Sequence, residues 1–102
     1  MKEVFYIQKD EYQEDGNDTR IIAFHETLSG AVSHFNDIVE QEKPYFMYDE
    51  TTSTDCSEEA MEDAGIAEMY HEDADGTRDY HIWNNSGWHE VYIHLFRKEV
   101  LD

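Results

Sequence analysis

Alternation of apolar and polar residues marks the first third of the chain as a pair of strands. Residues 3–9 and 19–25 are rich in Val, Ile, Phe and Tyr, which favour extended structure. The polar segment between them, residues 10–18, contains Gly and Asn and is typical of a hairpin loop. We therefore predict an antiparallel hairpin at the start of the chain.

A helical spacing of apolar residues follows the hairpin. Large or small apolar side chains recur every three or four positions over residues 28–39. Thr27 and Ser29 are candidate N-caps, and Pro44 is expected to end the helix because proline has no N–H to donate. The pattern predicts a helix over about residues 29–42 with one apolar stripe.

The remaining pattern predicts further short elements. Residues 45–48 are aromatic and predict a short extended segment, while residues 57–65 predict a short helix capped by Asp55 or Ser57. Three antiparallel strands follow, over residues 67–72, 78–84 and 88–97. We predict one α+β domain, residues 1–102, in the order β-β-α-(β)-α-β-β-β. It has an antiparallel sheet of about five strands, one main amphipathic helix packed on that sheet and one short acidic helix.

The last predicted hairpin has large side chains on both faces. Val91, Ile93 and Leu95 share one face and predict the core side. A short turn at residues 86–87 places Tyr80 and Ile82 on that side as well. The opposite face holds Trp83, Trp88, Tyr92 and Phe96 beside His81 and His94. A face this aromatic is expected to be covered by the N-terminal region or by a second copy of the chain, or to contact a partner.

Composition narrows the function classes. The 102 residues include 25 Asp and Glu but only seven Lys and Arg, for a net charge of −18, which excludes direct binding to nucleic acid or anionic lipid. No run of 18 apolar residues suggests a membrane span, and the N-terminus has no secretory signal pattern. A single cysteine, Cys56, suits a reducing compartment, so we expect a cytoplasmic protein.

The negative charge is concentrated in two segments. Residues 44–77 contain no Lys or Arg, and the predicted hairpin loop adds five more carboxylates. In the short helix, Glu58 with Glu62 and Glu59 with Asp63 are like-charge pairs one turn apart, each destabilising by a few tenths of a kcal/mol. Folding does not require so many negative charges in these two segments. Binding to a basic partner with a Lys- and Arg-lined groove would explain them.

We expect two kinds of residue to contact that partner. The carboxylates of residues 49–75 would replace phosphates, and large aromatic side chains would supply buried anchors or a dimer seam. The candidate acids are Asp49, Glu50, Asp55, Glu58, Glu59, Glu62, Asp63, Asp73 and Asp75, and the candidate anchors are Trp83, Trp88 and Tyr92.

In size, charge, aromatic content and α+β strand order, the sequence resembles the small acidic DNA-mimic inhibitors that phages and mobile elements carry against host nucleases. Anti-CRISPR and anti-restriction proteins belong to this class. The resemblance implies a protein-interaction inhibitor that occupies the nucleic-acid groove of a basic nucleic-acid-binding protein, a nuclease for example, in the host cytoplasm. It carries no individual residue assignment.

Alternative chemistry has weaker sequence support. His81 and His94, or His89, could hold a metal ion with a nearby carboxylate, but no paired cysteines or helical His pair accompany them. Residues 71–79 partly match a calcium loop, yet Ile82 stands where the template needs a bidentate acid, so a tight hairpin turn is the simpler interpretation.

Catalysis is not predicted. The acidic neighbours of Cys56 are expected to raise the pKa of its thiol, and phosphate-loop, nucleophile-elbow and dinucleotide motifs are missing from the sequence. We therefore expect no enzyme activity, cofactor or metal. The alternatives are an acidic viral or bacterial structural or assembly domain, which could form a homodimer through its aromatic face, and a small metal-binding domain using His81 and His94.

Overall fold

The chain folds into a five-stranded antiparallel sheet with both helices packed on one face. A computed structural model describes residues 2–85 and 89–101. In chain order the elements are β1 (Lys2–Gln13), β2 (Gly16–His25), α1 (Leu28–Thr51), α2 (Glu58–Asp63), β3 (Ile66–Glu72), β4 (Arg78–Asn84) and β5 (Glu90–Val100). The strand order in the sheet is β2-β1-β5-β4-β3, and every neighbouring pair is antiparallel. The predicted α+β class and strand order are confirmed.

Alternate residues of the central strands form the core. Ile7 of β1, Ile82 of β4 and Val91 and Ile93 of β5 are fully buried beneath the helices. The predicted strand pairing is confirmed, because Ile82 lies opposite Val91 and Tyr80 lies opposite Ile93. Complete burial of an aliphatic or aromatic side chain stabilises the fold by about 1.5–3 kcal/mol, so burial of this face is a large stabilising contribution.

Helix α1 is longer than its sequence predicted. Pro44 lies inside it, and residues 45–48 continue the helix, so the predicted stop and extended segment were wrong. Proline leaves the carbonyl of Glu40 without its helical donor, but Glu40 is exposed and water can hydrogen-bond there. Phe46 and Met47 are each only 1% exposed, and their burial against the sheet outweighs the cost of the proline.

Side chains cap both helices at positions that the sequence predicted. The Thr27 hydroxyl accepts a hydrogen bond from the N–H of Gly30 at 3.1 Å. The Ser57 hydroxyl accepts one from the N–H of Ala60 at 3.2 Å. At its C-terminus, α1 ends on Thr52, whose φ of +62° lies in the left-handed region that favours glycine.

The first hairpin is tighter than predicted. The strands extend to Gln13 and from Gly16, so only Glu14 and Asp15 form the turn, and the predicted loop over residues 10–18 was too long. The cause lies outside the hairpin. β5 pairs with β1 as far as Tyr12, which lies opposite Glu90, and this pairing keeps the end of β1 extended.

One buried ion pair joins the sheet to α1. The Lys9 ammonium lies 2.7 Å from Oε2 of Glu42, and both side chains are about nine-tenths buried. Oε1 of Glu42 is buried without a hydrogen-bond partner in the described part of the chain. This pair therefore fixes α1 over β1 by charge as well as by apolar contact.

The elements define two ends of an elongated molecule that measures 49 × 28 × 20 Å. One end contains the β1–β2 turn, the C-terminus of α1 and α2; we call it the acidic end. The opposite end contains the β3–β4 turn, where Gly76 lies against Leu28 at the start of α1. Neither α1 nor α2, the two helices among the described residues, has the length and apolar character needed to cross a membrane.

Candidate partner-binding surface

The face of the sheet away from the helices carries a continuous row of rings, which we call the ring row. Successive ring centroids lie 3.9–5.9 Å apart, so each ring contacts the next. The row runs across four strands through Phe24, Tyr6, Phe96, His94, Tyr92, His81 and Trp83.

No described element packs on the ring row. Both helices contribute to the core on the other face, and β1 and β2 lie in the plane of the sheet. The expectation that the N-terminal region covers this face was therefore wrong, whereas the predicted division of side chains between the two faces is confirmed. Trp83 and Tyr92 are half-buried within the row. Trp88 lies outside the described residues.

Carboxylates partner the two histidines of the ring row. Nε2 of His81 lies 2.9 Å from Glu90. His94 lies between two acids, with Nδ1 2.5 Å from Asp79 and Nε2 3.2 Å from Asp10. The structure therefore does not bring His81 and His94 together as one metal-ligand set. Each histidine has its own acid partners, and the Tyr92 ring stacks on both.

Beside the histidines, β1 and β5 form a small cup on the same face. Its volume is about 260 Å³, and its walls are Asp10, Tyr12, Glu90, Tyr92 and His94. Cross-strand pairing creates it, because Asp10 lies opposite Tyr92 and Tyr12 lies opposite Glu90. The Tyr12 and Tyr92 rings meet edge to face at 5.9 Å. Aromatic rings and carboxylates with no lining Lys or Arg make this cup suited to a cation.

The Tyr92 hydroxyl is fixed within the cup. It donates a hydrogen bond to Oε1 of Glu90 at 3.1 Å, the same oxygen that His81 contacts. Partial burial and this bond to Glu90 raise the pKa of Tyr92, so the phenol stays protonated. Both contacts use Oε1 of Glu90, and no described residue hydrogen-bonds to its Oε2, which can therefore accept from a ligand.

The acidic end carries exposed carboxylates from three separate parts of the chain, spread across the width of the sheet from the β2 edge to the β3 edge. They belong to the β1–β2 hairpin, to the last turn of α1 and to α2 with the loop before it, and comprise Glu14, Asp15, Asp18, Asp49, Asp55, Glu58, Glu59, Glu62 and Asp63. Two cations border this group: Nε of Arg20 lies 3.9 Å from Asp18, and Lys43 lines the cavity between α2 and β3 together with Glu58 and Glu62. Of the other cations, Lys9 and Arg78 lie midway along the molecule, and Lys2, Arg97 and Lys98 lie near the opposite end. Charge is therefore unevenly distributed along the long dimension.

Three of the predicted partner-binding acids lie apart from this group. Glu50 is only 10% exposed in its side chain and lies 2.6 Å from Nδ1 of His89, so it is an internal hydrogen-bond partner. Asp73 and Asp75 lie on the β3–β4 turn at the opposite end, about 20 Å from α2 along seven-residue β3. The acidic row expected over residues 49–75 is therefore divided into two groups.

The partial calcium-loop motif forms the tight turn that the sequence favoured. The N–H of Thr77 donates to the Asp75 carboxylate at 3.0 Å, and the N–H of Gly76 donates to the Asp73 carbonyl at 3.0 Å. Gly76 adopts a φ of +92°, which glycine tolerates. Hydrogen bonds from Thr77 lower the pKa of Asp75, consistent with a carboxylate that serves the turn.

His89 is the centre of a buried cluster that the sequence did not reveal. Only 2% of its side chain is exposed, and its ring stacks on Phe46 at 4.4 Å. Its two nitrogens face Glu50 at 2.6 Å and Glu11 at 3.2 Å. Burial by itself raises the pKa of Glu11. Hydrogen bonds from His89 and Gln13 oppose this effect and together outweigh it, so the pKa of Glu11 lies below its usual value. The cluster therefore ties the end of α1 to β1 and β5.

Asp49, Glu50 and His89 are also the one metal-compatible group among the described residues, with ligand atoms within 4.8 Å of one another. Two ligands of one zinc ion lie roughly 3 Å or more apart. The 2.6 Å contact between His89 and Glu50 would have to open to admit an ion. The observed geometry is that of a hydrogen-bonded cluster.

Cys56 borders a cavity of about 510 Å³ between α2 and β3. Burial raises the pKa of its thiol, and the charges of Asp55 and Glu68 add to that effect against the opposing charge of Lys43. The predicted direction is confirmed, and the thiol is a weak nucleophile at neutral pH.

No family model matches the chain, and neither the curated proteins nor the solved structures include one that is significantly similar to it. Function must therefore be inferred from the geometry described above.

Proposed function

We propose that the chain is an interaction protein that inhibits a basic nucleic-acid-binding partner by occupying its nucleic-acid groove. The acidic end replaces the phosphates, and the ring row provides apolar contacts. The observation that carries the proposal is that three chain segments place nine exposed acids at one end, where Arg20 and Lys43 are the bordering cations among the described residues. Such a surface attracts Lys and Arg side chains and releases counterions on binding, as nucleic acid does.

The cost of this arrangement to the fold supports a functional role. In α2, Glu58 with Glu62 and Glu59 with Asp63 place like charges one turn apart. In α1, the exposed Asp49 stands in the last turn, which contains no basic residue, so it faces the negative end of the helix dipole. Each placement destabilises its helix by a few tenths of a kcal/mol, and none benefits the core.

The test is a binding experiment with a matched charge control. The chain would be used to capture proteins from nuclease-treated lysate of its native host, with washes of increasing salt. We expect a basic nucleic-acid-binding protein that is released by salt and displaced by added DNA or RNA. Charge reversal at Glu58, Glu59, Glu62 and Asp63 should abolish capture and leave the fold intact or slightly more stable.

The control reverses four other exposed acids, Glu26, Asp37, Glu40 and Glu99, and so gives the same net charge. It should retain most of the binding, because these residues lie outside the acidic end. Equal loss in both variants would contradict a localised acidic interface. A particle that contains only further copies of the chain, measured by light scattering, would favour the alternative of an assembly protein.

A further inference from the structure

We propose that the cup between β1 and β5 receives an arginine side chain of the basic partner. This inference rests on the proposed function and identifies the type of residue that the ring face recognises. The cup lies on the face that no described element covers, and Asp10, Tyr12, Glu90, Tyr92 and His94 line it. It is therefore accessible to a protruding side chain of another protein.

The size of the cup favours one side chain. Its volume of about 260 Å³ is below the range of roughly 300–1,000 Å³ that is usual for small-molecule sites. Aromatic rings with a carboxylate on each strand offer little to a neutral metabolite. A cation, in contrast, gains from the ring faces and from Asp10 and Glu90 together.

The geometry favours arginine over lysine. The rings of His81, Tyr92 and His94 are nearly parallel, with interplanar angles of 8° and 7° between successive members. These rings stack face to face on one another, with His81 only 3.9 Å from Tyr92, whereas the Tyr12 ring stands at 89° to Tyr92 outside that stack. A planar guanidinium can stack on Tyr12 and direct its N–H groups toward Asp10 and Glu90 in the same cup. The ammonium of lysine is a compact, strongly hydrated charge that makes no use of a flat surface.

The charges around the cup fit a cationic occupant. The wall residues include two carboxylates, and the neighbouring Asp79 is bonded to His94. Lys98, which lies opposite Val4, belongs to the other end of this face. Charge complementarity therefore places the arginine beside Asp10 and Glu90, at the part of the ring row nearest the β1–β2 turn.

The experiment compares two capped peptides of equal length and charge, one with arginine and one with lysine at every second position. Binding to the full chain would be measured by calorimetry at several salt concentrations, with NMR spectra to locate the contact. We expect the arginine peptide to bind about two- to fivefold more tightly. The shifts specific to the arginine peptide should centre on Tyr12, Glu90 and Tyr92.

Two variants test whether the preference for arginine over lysine depends on the cup. Glu90→Gln keeps an oxygen for His81 and Tyr92 but removes the charge, and Tyr12→Leu removes one ring. Each should make the two peptides bind equally. The matched control is Glu40→Gln on the exposed side of α1, which should weaken both peptides equally and preserve their ratio.

The outcomes separate this inference from the proposed function. The proposal that arginine binds in the cup would be overturned if the two peptides bound the wild-type chain equally. It would also be overturned if the preference for arginine persisted in both cup variants. Saturation by free arginine at the peptide's own working concentration would also contradict a partner's side chain as the occupant. If neither peptide binds at low salt, the cup and the proposed function both fail.

Discussion

Replacement of Lys9 by methionine removes the partner of a buried carboxylate while preserving most of the apolar length of the side chain. Lys9 and Glu42 lie 2.7 Å apart, with side chains only 11% and 9% exposed. Breaking a buried ion pair from one side costs about 3–5 kcal/mol, because the remaining charge is left without water or partner. Oε1 of Glu42 already lacks a hydrogen bond in the described structure, so the carboxylate has little alternative compensation nearby.

The magnitude is large enough to measure by urea denaturation followed by circular dichroism. A chain of this size has a total stability of about 5–15 kcal/mol, so the variant loses a large share of it. For an m-value near 1.5 kcal/mol/M, the midpoint should fall by roughly 2–3 M. Lys43→Met is the matched control. Its ion pair with Glu68 has a similar length of 2.8 Å but is 28% and 34% exposed, and its loss should cost at most about 1 kcal/mol.

The double variant Lys9→Met, Glu42→Leu completes the test. It replaces both charges by apolar groups and should be as stable as the wild type or more stable, by up to about 4 kcal/mol. It remains informative even if the single variant does not fold. The reasoning fails if Lys9→Met costs no more than Lys43→Met, or if the double variant is as unstable as the single one.

Three further predictions concern the helix and the sheet. Pro44→Ala should stabilise the protein by about 1–2 kcal/mol in urea denaturation, because alanine restores a backbone N–H donor to the helix. The greater freedom of the unfolded chain offsets part of this gain. Unchanged stability would show that the proline ring fits into α1 without cost. Thr52→Gly should stabilise by about 0.5–1 kcal/mol because it relieves a left-handed φ of +62°, and a loss of stability would contradict that strain. The third concerns Tyr80, where burial and a 2.6 Å hydrogen bond to Glu68 raise the phenol pKa. Its contribution is therefore complete below about pH 10, where the unfolded chain keeps its tyrosines protonated, and is lost as pH rises further. Wild-type stability should fall more steeply than that of Tyr80→Phe above pH 10, and parallel curves would refute the assignment.

Local signals predicted most of the fold. Strand alternation and helix caps depend on neighbouring residues, so the elements and the two faces of β4 and β5 were predictable. The course of α1 was not, because Pro44 is a strong local stop signal. Burial of Phe46 and Met47 by distant strands overrides it. The extension of β1 to Gln13 likewise depends on β5, which lies at the other end of the sequence.

The sequence predicted which types of residue form the candidate site but not how those residues are arranged in space. Acidic type and exposure follow from the sequence for α2, but the use of Glu50 as a partner of His89 depends on a contact across 39 positions. The cup depends on the register that sets Tyr12 opposite Glu90, across 78 positions. Such pairs cannot be assigned from one sequence, because several registers preserve the same alternation of faces.

The uncovered ring row has a consequence for work with the purified protein. It continues to the edge strand β2, where the side chains of Ile21 and Phe24 are 50% and 63% exposed. At low ionic strength the net charge of −18 keeps copies apart, but repulsion is screened within about 3 Å in 1 M salt and weakens in acid as carboxylates protonate. Under those conditions copies will meet through this face and this edge. Ring-to-ring packing in a crystal grown from concentrated salt or acid would therefore reflect the crystallisation medium and not the partner.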